Sequence, residues 1–535
     1  MDLNSVASGI SGAGIGNYIS IGILIFAGIS VFFGVIFGFK RGFSKSVVRI
    51  ITMALAAAGA FLVAANITSA IAGVIGDKGL VGLLKDLESY TGSIISEQMY
   101  EVIGSFDVKT AVIVISIILA VIIAPVTFIL LFYLFKLVSL LIFFLISAML
   151  GLSGRHKGFV SRFCGMIVAV AQSAIIIGVV LLPLAGFAAL ADEITDNLIK
   201  ETDNEDTKTA LTEIREEILD DVLENPIISV IIDAGGKDLF KTLTSIEYDG
   251  DKYCAYDEFV VLSGIAGEVG TIEDWNNPTE EDNRVLERVT AKISDNSFTS
   301  TVISGVMRGF SDAVVNGPVS VTDDPTLGTF VNSVFTVFST STEENLEGDL
   351  TTVTHVYYIL GKYGVIDSFS DDVKLRQALL EKHGAEGEEK TVIDYVVDEL
   401  YLNERTAPIV DSLTEISIKV MCAQMGMENA GEIYESVKGD VKDVLVLNAD
   451  DFDSEDEYLD HVKGDLDAAL KLNGITVDDK TLDNMSQYIA DNYGDTSEDE
   501  LTDEDINRAI LSYYNAYAEA NPDFKLEDYN PEGIN

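Results

Sequence analysis

The chain has 535 residues, with 35 Lys+Arg against 85 Asp+Glu for a formal net charge of −50, yet it is 48% hydrophobic with a mean hydropathy of +0.29. Charge that dense lowers mean hydropathy, which excludes one uniform soluble domain and predicts a greasy part joined to an acidic part. The acidic balance also excludes a nucleic-acid binder, because phosphates need a basic surface, and three cysteines exclude a disulfide framework.

Counting along the chain separates the two parts. Residues 1–187 hold 11 basic and 7 acidic residues, net +4; from Ala188 on there are 24 and 78, net −54. A spanning helix needs about 20 apolar residues, since the hydrocarbon core is about 30 Å thick and each residue rises about 1.5 Å. Residues 19–39, 47–65, 111–135 and 163–190 meet that length. The first run is too long for a cleaved signal peptide and no basic segment precedes it. Residues 111–150 are apolar for long enough to form either one span or a hairpin of two, with Lys136 between the halves. The loop of Lys40, Arg41, Lys45 and Arg49 is expected on the cytoplasmic side by the positive-inside rule. One span at 111–135 puts the second basic group, Arg155, Lys157 and Arg162, on that side too. The preferred reading is therefore four spans, with 137–150 at the inner face and everything after the last span outside; a fifth span reverses the side.

Gly34, Gly38 and Gly42 recur every four residues, so they share one helix face where another helix can approach closely. That face fits ordinary packing within the chain, or an oligomer seam or pore wall. Pro125 interrupts the third run and is expected to kink it. Lys136, Asn66 and Gln172 are among the few polar residues of the membrane part. A transporter or channel subunit, the alternative to a non-catalytic membrane protein, would turn them toward one shared cavity.

The turn Gly38-Phe39-Lys40-Arg41-Gly42-Phe43-Ser44-Lys45-Ser46, closing one span and opening an Ala-rich second, resembles the Arg-Gly-Phe signature of the CvpA family, the colicin V production proteins of bacterial inner membranes. Gly151, Gly154, Arg155, Gly158 and Gly165 resemble that family's glycine-rich turn before its last span. The resemblance covers about the first 190 residues. It implies a four-span protein of the bacterial cytoplasmic membrane, linked to toxin production or export and to the cell envelope, with no catalytic residue to carry over. Some relatives carry an extracytoplasmic serine protease, a chemistry that would need a nucleophile turn and a His base in the acidic region.

Amphipathic runs at helical spacing fill that region: 194–223, 285–315, 373–380, 392–402, 407–425, 458–472 and 506–517. The fold class expected is all-α: a polytopic membrane domain (1–190), an acidic helical soluble domain (191–447), a small terminal helical unit (448–520) set off by a charged linker at 448–457, and a loose tail (521–535). His355, His383 and His461 come without a nucleophile turn, a His-x-x-x-His or a Cys-x-x-Cys. His355 reads as a satisfied core histidine and the other two as surface helix residues. Cys254 and Cys422 read as buried thiols, with a lone disulfide left open. The acidic runs at 450–457 and 491–500 miss the EF-hand spacing and read as solvated helix starts. No catalytic residue, metal site or cofactor is expected. The partners expected are the lipid bilayer, a second copy through the membrane helices, and a basic protein or peptide for the acidic domain; nucleic acid is not among them.

Overall fold

The computed structural model describes residues 14–91, 108–149, 158–202, 205–316, 325–368, 372–385, 390–424, 430–494, 496 and 500–520. The described chain is almost entirely helical. It forms two compact units: Met1–Ser96, Phe106–Glu273 and Ala291–Val306 make the first; Glu97–Ser105, Asp274–Thr290 and Met307–Asn535 make the second.

The first unit is built on α1 (Ile15–Arg41), α2 (Phe43–Thr91), α3 (Val108–Met149) and α4 (Phe159–Glu201). Each contains a stretch long and apolar enough to cross a membrane. They pack as two antiparallel pairs. On the α1/α4 pair, Gly34 faces Ser173, Gly38 faces Ala169 and Gly42 faces Gly165. On the α2/α3 pair, Phe61 meets Phe128 edge-on at 5.9 Å, Gly59 faces the ring of Phe135, and Arg49 lies over Phe143. This register sets the apolar start of α2, Phe43–Ile67, alongside residues 125–149 of α3.

The sequence set the third span at 111–135, with 137–150 at the inner face; the structure has one unbroken helix through Pro125, and its apolar stretch, Lys109–Ile146, takes in both. Its earlier part also touches protein. Ile113, Ile117 and Ala120 are fully buried against Ile246, Tyr253, Ala255 and Phe298, which belong to the acidic region. Composition reports apolarity, but does not tell a side chain facing lipid from one facing protein.

Beyond α4 come α5 (Glu205–Ile214), α6 (Asp220–Leu223), α7 (Pro226–Ile231), α8 (Lys237–Leu243), the hairpin β1 (Ser245–Tyr248) and β2 (Asp251–Cys254), and α9 (Ala255–Val269). The hairpin turns at Asp249 and Gly250, both with positive φ (55° and 89°). That is the two-residue turn an Asp-Gly pair favours. Gly186 of α4 approaches so closely that a Cβ there would overlap the ring of Phe240 on α8. The compositional boundary at residue 190 therefore falls inside α4, and the first unit continues to Glu273.

The run 285–315 is two helices, α10 (Glu280–Asp295) and α11 (Ser297–Val315), broken at Asn296, whose side-chain oxygen accepts from the backbone of Thr299. The second unit holds α12 (Pro325–Ser339), α13 (Leu346–Lys362), α14 (Val365–Ser368), α15 (Asp372–Leu380), the strands β3 (Lys382–His383) and β4 (Lys390–Thr391), α16 (Val392–Tyr401), α17 (Ala407–Gln424), α18 (Ala430–Leu445), α19 (Glu455–Leu472), α20 (Asp479–Tyr493) and α21 (Asp503–Ala520). α16 opens with a capping box between Thr391 and Asp394. Its largest core joins Ile418, Met421, Tyr434, Val441, Tyr458, Leu466, Met485, Ile510 and Tyr513, from five helices on both sides of 448–457. Residue 521 onward lies outside the described residues.

Candidate functional site at the basic end of the helix bundle

The end of the bundle where α1 turns into α2 gathers most of the sequence-selected residues. α1 stops at Gly42, whose φ of 74° suits glycine and whose N–H donates to the Gly38 carbonyl at 2.9 Å. α2 begins at once: the Phe43 N–H donates to Ser161 Oγ at 3.3 Å, tying the turn to α4. A Cβ on Gly38 would come 2.4 Å from the Ala169 Cβ, and one on Gly165 would come 2.5 Å from the Gly42 carbonyl carbon. Ser173 Oγ donates across the seam to the Ser30 carbonyl at 3.0 Å. The glycine face is thus spent on α4 of the same chain, and lipid association needs only such close backbone approach. Gly158 is exposed at the start of α4, while Gly151, Gly154 and Arg155 lie outside the described residues.

The cations of this end sit on aromatic rings. Arg41 stacks on Phe37 at 5.4 Å, Arg162 on Phe39 at 5.8 Å and Arg49 on Phe143 at 5.4 Å; Lys136 lies 5.2 Å from the ring centroid of Tyr133 and 5.9 Å from that of Phe132. Ser46, Arg49 and Thr52 of α2 are buried, as is Ser139 of α3, which donates to the Lys136 carbonyl at 2.7 Å.

Elsewhere the first unit has an apolar crevice of about 660 Å³ between α2, α3, α4 and residues 226–239, lined among others by Phe61, Phe128, Ile175, Val179 and Ile231. Asn66, Lys136 and Gln172 are not in its wall. Asn66 is exposed and donates to the Leu62 carbonyl of its own helix; Gln172 is buried on α4. A transport path would turn all three toward one cavity, and none of them lines this crevice.

In the second unit His355 bridges two carboxylates, with Nδ1 2.6 Å from Glu399 and Nε2 3.2 Å from Glu287. It is partnered, as expected, but only half-buried and not the core residue expected, and no serine or threonine hydroxyl hydrogen-bonds it among the described residues. His383 departs from expectation: it lies on β3, stacked at 4.2 Å on Tyr363, because a two-stranded hairpin and not a helix carries it. His461 is exposed on α19. The three cysteines are free, and burial pushes the Cys422 thiol up to about 11. Residues 454–457 form the capped first turn of α19, with Ser454 Oγ accepting from the Glu457 N–H; 495 and 497–499 lie outside the described residues.

None of the known protein families, curated proteins or solved structures compared with this chain matches it. The four apolar helices are those of a multi-pass membrane protein. What the sequence singled out, the glycine seam and the basic turn, comes together in space. What it missed is the depth of Arg49, whose only signal was a cation inside an apolar run.

Proposed function

We propose that this is a non-enzymatic protein of the bacterial cytoplasmic membrane, in the manner of the CvpA family, which holds its acidic helical domain outside as an interaction module for a scaffold or an export-associated complex. The observation that carries this reading is the polarity of the bundle. Arg41, Arg49 and Arg162 gather at one end, while Asp192, Glu193 and Asp196 of α4 stand at the other, where the chain leaves the spans. Cytoplasmic loops are enriched in Lys and Arg, so the acidic region follows to the opposite side. A surface of net −54 repels anionic lipid and favours a basic protein or peptide as its partner.

The test is labelling in intact cells. With Cys164, Cys254 and Cys422 replaced and Asp453→Cys added at an exposed position, a membrane-impermeant maleimide is expected to label the protein without lysis. Labelling only after permeabilisation would put the domain in the cytoplasm and end this reading.

A further inference from the structure

Among the described residues, the spans hold a cation without a counter-charge. Arg49 is only 6% exposed, its Nε has no hydrogen-bond acceptor among them, and Phe143 covers one face of its guanidinium. Ser46, one turn earlier on the same face of α2, is 1% exposed and its Oγ is equally without a partner. Lys136, on the face of α3 that also carries Ser139 and Phe143, lies over the rings of Phe132 and Tyr133 on its own helix. The sequence explains the lack of an ion pair: there is no Asp or Glu between residues 3 and 76, nor between 108 and 187. No carboxylate on these spans can therefore neutralise Arg49. A buried charge and a buried hydroxyl left unpaired are both strongly unfavourable, so a ligand from outside the chain is called for.

We propose that Arg49, Ser46 and Lys136 form a seat between α2 and α3 for the phosphate of an anionic phospholipid headgroup. Depth favours a lipid. Arg49 lies six residues into α2, about 9 Å along the helix from the turn that closes the basic end, within reach of a headgroup phosphate drawn slightly inward. Chemistry favours phosphate. The guanidinium offers a planar fork that matches two phosphate oxygens, the serine hydroxyl donates a third bond, and the lysine adds a point charge. The wall favours an acyl chain: Leu141, Leu137, Leu134 and Leu130 of α3 are exposed and apolar, and lead inward from the level of Phe143. Residues that merely obey the positive-inside rule extend their charges into the headgroup layer, and Arg41 is open enough to do so. Arg49 is enclosed, so the anion has to come to it.

The experiment uses the full-length protein in nanodiscs of phosphatidylcholine with a minor fraction of phosphatidylglycerol. Native mass spectrometry reads the retained lipid and Tm reads stability. Phosphatidylglycerol is expected to be retained in preference to phosphatidylcholine and to raise Tm. Arg49→Gln is expected to cut that preference about fivefold and Arg49→Lys to keep part of it. Should Arg49→Gln fail to fold, Ser46→Ala and Lys136→Gln are read in the same way, each with a smaller loss. Equal retention of the two lipids by the unmutated protein, or unchanged preference in the folded variants, would overturn the seat. Inorganic phosphate raising Tm in detergent as much as phosphatidylglycerol, with the same dependence on Arg49, would mean a free anion and overturn the lipid. None of these readouts depends on the side or partner of the acidic domain.

Discussion

At the scale of single residues, Glu258 shows how burial decides behaviour. Its carboxylate, on α9, is 6% exposed and accepts from Asn296 Nδ2 at 2.9 Å. Burial, with a smaller push from the neighbouring Asp257 charge, holds the carboxyl above its ordinary value of 4.5. The folded state therefore keeps this proton to higher pH than the unfolded state does. Its contribution to stability is intact below the ordinary value, declines as pH rises toward the raised folded value, and stays reduced above it. Glu258→Gln is expected to raise Tm at pH 7 and to flatten the fall of Tm above pH 4.5; an unchanged pH profile would refute this. Nothing in the sequence marks Glu258, one acid among 85. His383 was equally illegible, because its stacking on Tyr363 depends on a hairpin of two-residue strands.

At the scale of elements, the α1/α4 seam rests on missing side chains. The hydrophobic effect does not bring helices together in lipid, so close backbone contact must do it. Gly38→Leu puts a branched chain where even a Cβ would lie 2.5 Å from the Gly165 carbonyl oxygen, and overpacking of this kind costs about 1–3 kcal/mol. Gly28→Ala, on the same helix with nothing within 4 Å, serves as the control and is expected to change stability by less than about 0.5 kcal/mol. Thermal unfolding of the reconstituted protein separates the two; equal Tm values would show that the seam does not hold α1. The repeat Gly34, Gly38, Gly42 revealed one face of one helix, because a period of four is a local property. That the opposing surface is Gly165, Ala169 and Ser173 depends on chain reversal through two other helices, which no local pattern encodes. The β1/β2 hairpin was legible in principle from Asp249-Gly250, but the runs on either side are only four residues long.

At the scale of the whole molecule, the charge split is the feature the sequence gives most directly, since composition needs no fold. Repulsion among 78 acids against 24 bases opposes the compact state. Raising monovalent salt from about 0.01 M to 0.15 M shortens the screening length from about 30 Å to 8 Å. The Tm of the protein is expected to rise across that range, and a Tm that stays level or falls would show that the acids are already compensated. The unit boundary near Glu273 was not legible, because the first acidic helices are held by apolar residues of the spans and not by their own charge pattern.

The unbroken course of α3 has a mechanical consequence. Its 42 residues make a rod of about 63 Å, twice the thickness of a hydrocarbon core. It packs along α2, and its first half is also held by Ile246, Tyr253 and Phe298. A rod held at both ends works as a lever. A thinner bilayer is met by tilting spans, and a tilt of about 10° would swing the clamped end, about 25 Å further on, through roughly 4 Å.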